Sequence, residues 1–120
     1  MILVIFIENK KIILKLCDDS GQSCMQVNYN TETSHADGLL NLIQSTFSEN
    51  IKSIHQILIS SEITTSPALC RVVYSIGNSL AYALEAQIAA VINREDQDID
   101  YSKIHWLNPP LKMKYQRPAV

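Results

Sequence analysis

Apolar residues fall in short continuous blocks at the start of the chain and at helical intervals further on. "MILVIFI" (1–7) and "KIILKLCD" (11–18) are separated by "ENK", and "DSGQS" separates the second block from "CMQVNYN" (24–30). Short β-rich runs joined by turn residues predict an antiparallel meander of three strands. In "TSHADGLLNLIQSTFSEN" the residues Leu39, Leu40, Ile43 and Phe47 recur at helical spacing, which predicts a helix over about 35–48 with Ser34 as its cap. "SIHQILIS" (53–60) then reads as a buried strand. Ser66 and Pro67 mark a second helix start, a capping hydroxyl followed by a residue whose missing N–H costs nothing at the first helical position. That helix runs to about 85, and "AQIAAVI" (86–92) supplies a last strand. Two strands flanking a helix pair in parallel by the usual crossover. The order βββαβαβ therefore predicts an α/β domain with a mixed sheet of about five strands, two main helices packed on it and an extended C-terminal tail.

From Asn93 the pattern changes. "NREDQDIDYSK" is charged and poor in apolar residues, and "IHWLNPPLKMKYQRPAV" is irregular, with three of the chain's four prolines and its only Trp. The organisation expected is a lobe over 1–92 followed by a charged linker and tail over 93–120. The charge run reads as a solvated linker. Trp106 reads as a packing anchor, since aromatic side chains mostly bury apolar area.

At 120 residues, 47% hydrophobic and 18% charged, the chain has the size of one ordinary globular domain. A net charge of −2 and a pI near 5.8 leave no basic stripe to neutralise phosphates, so direct tight binding of nucleic acid is not expected. The apolar start lacks a basic region before it and is followed at once by charge, which argues against a signal peptide. No apolar run approaches the ~20 residues of a membrane span. A cytosolic protein without membrane contact is expected. Cys17, Cys24 and Cys70 have no paired spacing and are expected to be buried reduced thiols. His35, His55 and His105 are isolated from one another, and no metal site is expected.

The segment between the fourth strand and the second helix, "SSEITTSP" (60–67), occupies the place of a phosphate loop but contains no glycine. Such loops rely on glycine to close backbone N–H groups around an anion at a helix N-terminus, and β-branched Ile63, Thr64 and Thr65 resist the positive φ values involved. Glu62 is a single carboxylate in this stretch and reads as surface. No nucleophile, acid–base pair or cofactor motif is recognisable, so no catalytic or cofactor-binding residue is assigned. On the second helix, Leu69, Val72, Val73, Ile76, Leu80, Ala83 and Leu84 form a stripe able to cover a sheet. Cys70, Tyr74, Gly77 and Ala81 form another, whose small residues invite the close approach of a helix, from this chain or from another subunit.

These residues resemble one family, TsaB (YeaZ-like), the non-catalytic actin-like partner in tRNA threonylcarbamoyladenosine synthesis. Its members read "ILAIDTS" at the start, "H-S-x-x-L-L-P-x-I" on the first helix, "G-P-G-S-F-T-G-L-R-I-G-L-A-T-A-K-G-L-A" over loop and second helix, and "P-x-Y-L-R-x-P" near the C-terminus. Here stand "ILVIFIE", "HADGLLNLI", "ITTSPALCRVVYSIGNSLAYAL" and "PLKMKYQRPA". His35, Leu39, Leu40 and Ile43 align without a gap, as do Ser66, Arg71, Leu80 and Ala81, and Tyr115, Arg117 and Pro118 match the tail. Most of the family's second lobe has no counterpart. Phe6 stands where the superfamily has a metal-linked Asp, and every loop glycine is replaced.

The resemblance implies a single actin-like (ribonuclease H-like) lobe and a non-enzyme. It implies that the two helices pack against those of a catalytic subunit, TsaD, with a small ATPase, TsaE, engaging the pair. The modification made is threonylcarbamoyladenosine at position 37 of tRNA. Leu39, Ile43 and Thr46 on the first helix, with Tyr74, Gly77, Asn78 and Ala81 on the second, are the expected partner contacts. Two other readings stand beside it. One is a residual actin-like nucleotide-binding enzyme or peptidase, and the other is a domain that forms a homodimer through the same helices without a tRNA role.

Overall fold

The computed structural model describes residues 1–8, 11–30, 36–62, 66–92 and 99–112. The expected elements all form. Three strands, β1 (Ile2–Ile7), β2 (Lys11–Cys17) and β3 (Ser23–Asn30), are followed by helix α1 (Ala36–Thr46), strand β4 (Gln56–Ser61), helix α2 (Pro67–Leu84) and strand β5 (Gln87–Ile92). The sheet order is β3-β2-β1-β4-β5. β1, β2 and β3 form the antiparallel meander, while β1 with β4 and β4 with β5 pair in parallel. This is an α/β fold with a mixed five-stranded sheet and two helices, consistent with a single actin-like lobe.

Position in the sheet explains the composition of each strand. β1 lies at the centre, and all six of its residues are buried because both faces are covered. β3 lies at an edge, and of its residues only Tyr29 is buried. The turn between β2 and β3 is closed by Asp18, whose carboxylate accepts the backbone N–H groups of Ser20 and Gln22, both at 3.0 Å. Gly21 takes φ +89° there, a value that suits a residue without Cβ.

Both helices lie on one face. Leu3, Ile5, Ile7, Leu14, Leu16, Ile57 and Ile59 of the sheet meet Leu39, Ile43 and Phe47 of α1 and Val73, Leu80 and Ala81 of α2 in one buried cluster. On the opposite face Ile2, Val4, Phe6, Ile13, Cys17, Leu58 and Ala89 form a second cluster. The chain after β5 covers it: Ile99, Tyr101, Ile104 and Trp106 pack there. Leu107 then forms an antiparallel bridge with Ile88 on the outer side of β5.

α2 begins as its Ser-Pro pair predicts, with Pro67 in the first turn, but the Ser66 side chain makes no capping hydrogen bond; its carbonyl accepts from Cys70 N–H at 3.1 Å. The helix ends at Glu85 in the left-handed region, φ 54°. α1 ends at Thr46, two residues earlier than the periodicity predicts. Its expected cap Ser34, the aligned His35, loop residues 63–65, the run 93–98 and the tail matches Tyr115, Arg117 and Pro118 lie outside the described residues.

Candidate partner-binding surface

The helix layer is where sequence patterning placed function, and the packing divides its residues into two groups. Gly77 faces the sheet: a Cβ built there would stand 3.0 Å from Ile59 Cδ1 and 3.3 Å from Ile88 Cδ1. Ala81 is fully buried beside it. The small-residue stripe on α2 therefore lets the helix approach its own sheet, which corrects the expectation of a groove for another helix. Leu39 and Ile43 are likewise buried, at 1% and 0% exposure, in the same core. Four of the seven expected contact residues are thus enclosed by this chain, because the stripe a helix turns to a sheet and the stripe it turns to a partner have the same period.

Thr46, Tyr74 and Asn78 keep surface and are half-buried. Tyr74 packs against the helix-side core, and burial raises its hydroxyl pKa, with the neighbouring Cys70 thiol adding to the shift. Asn78 is engaged from within: Leu111 N–H donates to its Oδ1 at 2.6 Å and its Nδ2 donates to the Leu111 carbonyl at 3.0 Å. One turn further along the same flank stands Tyr82, 65% exposed. Tyr74, Asn78 and Tyr82 are four residues apart in succession and so share one line along α2. Tyr82 and Leu111 were missed by sequence reasoning. The spacing of four from Asn78 was the available signal for Tyr82, whereas the Leu111 contact spans thirty-three residues and had none.

The remaining candidate chemistry lies apart from this line. Phe6 packs in the cluster opposite the helices, with Lys15 Nζ 5.0 Å from its ring centroid. Cys17 is buried and Cys70 half-buried, and burial raises both thiol pKa values. Cys24 is exposed, contrary to expectation, because it lies on the edge strand β3. Among the described residues no group of three or more His, Cys, Asp or Glu is placed to hold a metal ion. An open cleft of about 480 Å³ is lined by Ile2, Gln56, Asp19, Asp100, Tyr101 and Trp106 among others. Ile2 and Gln56 begin the parallel strands β1 and β4, so the cleft sits at the sheet end where these strands start, away from Ile7 and Ser61. No described helix is long and apolar enough to cross a membrane.

No protein-family model and no curated protein matches the sequence. Solved structures do match in three dimensions. YeaZ from Pseudomonas aeruginosa superposes with a TM-score of 0.62 at 17% identity, over 76% of this chain and 43% of that one. The fold is YeaZ-like. A second structure, of an uncharacterized protein with similarity to peptidase YeaZ from Pseudomonas aeruginosa, gives the same TM-score of 0.62 and 17% identity, over 76% of this chain and 42% of that one. The chain thus spans less than half the length of either structure, and at this identity the likeness is one of fold.

Proposed function

We propose that this chain is a non-catalytic accessory subunit of the TsaB kind, which binds and stabilises or activates a TsaD-like enzyme in tRNA threonylcarbamoyladenosine modification. The observation that carries the reading is the YeaZ-like fold, found independently of the sequence motifs that resemble the same family. The glycine-free segment "SSEITTSP" and the weakly acidic charge fit a subunit that leaves nucleotide chemistry and tRNA affinity to its partner. The partner would meet α2 along Tyr74, Asn78 and Tyr82, with Thr46 contributing from α1. A TsaE-like ATPase would engage the assembled pair.

The test is co-purification of the tagged chain with the TsaD-like protein of the same cell, with the mass of the complex read by light scattering. A defined heterodimer is the expected result. Tyr82→Ala should fold normally, because surface changes usually alter stability by less than about 0.5 kcal/mol, yet weaken the complex about tenfold, as loss of an aromatic anchor does. A stable homodimer that ignores the TsaD-like protein would sink the reading and leave the fold alone standing.

A further inference from the structure

Residues 99–112 run from one face of the sheet to the other around β5. Ile104 and Trp106 pack on the face away from the helices, Leu107 exchanges hydrogen bonds with Ile88 at 2.8 and 3.0 Å, and Leu111 joins the helix-side core. Leu111 ends this path between the Asn78 amide oxygen and nitrogen. Asn78 is the middle residue of the line proposed above as the docking surface. Leu111 takes one N–H and one acceptor site of the Asn78 amide and stands against that edge of it, so a partner reaching Asn78 from the same side must displace Leu111.

The attachment is slight where it crosses the edge. β4 and β5 pair over six residues, whereas the strap meets β5 in the single bridge at Ile88, and Leu107 stays 40% exposed. Pro109 and Pro110, between the two attachments, have no N–H to donate. Segments held by few hydrogen bonds and little buried apolar area open locally at low free-energy cost.

The geometry points to a latch: residues 107–111 close over Asn78 of α2 and must lift before an amphipathic partner helix seats along that line. The strap and the partner then compete for Asn78. This rests on α2 being the docking face. A latch closed about 90% of the time lowers apparent affinity about tenfold, which is the factor recovered when it is released.

Leu107→Pro tests it from the strap side, since it removes the N–H that Leu107 donates to Ile88 and leaves α2 untouched. Two readouts are needed. In the unaltered chain, the amides of Leu107 and Leu111 should exchange with deuterium together and at least about tenfold faster than those of β4, as a local opening requires. In the variant, affinity for the TsaD-like protein should rise several-fold, up to the tenfold above. Strap amides that exchange only at the rate of β4 overturn the latch whether or not any partner binds. Fast strap exchange with unchanged or weaker binding in the variant overturns it as well. If neither chain binds the TsaD-like protein, the accessory-subunit reading fails, and the regulatory role of the latch fails with it.

Discussion

At Gly77 a missing side chain sets the distance between α2 and the sheet. The space that a Cβ would take is already bounded by the methyl ends of Ile59 and Ile88. A leucine there has no room without moving the helix, and overpacking of this kind costs about 1–3 kcal/mol. Gly77→Leu should lower the urea midpoint accordingly. Gly77→Ala sets two effects against each other: removing a mid-helix glycine gains about 1 kcal/mol, and displacing two flexible isoleucine ends gives some of it back. Its stability should stay within about 1 kcal/mol of the parent, and because residue 77 points away from solvent, its partner affinity should not change. A Gly77→Ala chain that folds but binds its partner more weakly would return this residue to the docking face. Sequence periodicity set the stripe containing Gly77 and Ala81 apart from the sheet-covering one, yet the packing turns both residues to the sheet. Periodicity could not say what the stripe faces, since a sheet and a helix both exploit small residues for close approach.

At the level of elements, the strands and helices were legible because each carries its own period: continuous apolar runs for β1 and β4, and the spacing of Leu39, Ile43 and Phe47 for α1. The course of the tail was not, since it is irregular and its attachments join residues distant in sequence. One of these is Tyr101, whose hydroxyl lies 3.9 Å from Cys17 Sγ and whose ring occupies the space beside Gly21 where a Cβ would come within 2.5 Å. Burial pushes the Tyr101 hydroxyl well above its ordinary pKa of 10.0, with the Cys17 thiol adding to it. Burial also raises Cys17 above 9.0, partly offset by the hydrogen bond to Tyr101. Both groups are held neutral in the fold, whereas the unfolded chain releases their protons at the ordinary values. Their contribution is therefore complete below about pH 9 and is lost as the pH climbs through 10 toward the raised values. Tyr101→Phe removes the tyrosine's share. The difference in urea midpoint between about pH 8 and about pH 10.5 should be smaller in the variant than in the parent. Equal differences would mean that the Tyr101 hydroxyl is not shielded as the packing implies.

On the scale of the whole molecule, the central fact is that the sheet is apolar on both faces while the helices cover only one. Every residue of β1 is buried, and the side chains that bury Ile2, Val4, Leu58 and Ala89 from the far side include Tyr101, Ile104 and Trp106 of the tail. Composition draws a boundary after Ile92, where charge replaces apolar residues, yet the fold needs both sides of that boundary to complete its second cluster. A chain ending at Ile92 would present the far face of β1, β4 and β5 to water as one contiguous apolar surface, the kind that drives association in solution. The expected result is self-association on gel filtration and a far-ultraviolet circular dichroism melt that is broad or lost, while the full chain unfolds in one step. A truncated chain that runs as a monomer and melts at the parent temperature would show that the tail is dispensable to the lobe. That outcome would also bear on the latch, because a strap that contributes nothing to the far face would be free to open as a whole, carrying Trp106 with it. Since Trp106 is the only tryptophan, its emission in the full chain separates the two cases. A shift to longer wavelength that precedes loss of secondary structure in urea means that the whole tail lifts. Coincident transitions mean that local opening stops short of Trp106, leaving the far face covered while the Asn78 flank is exposed.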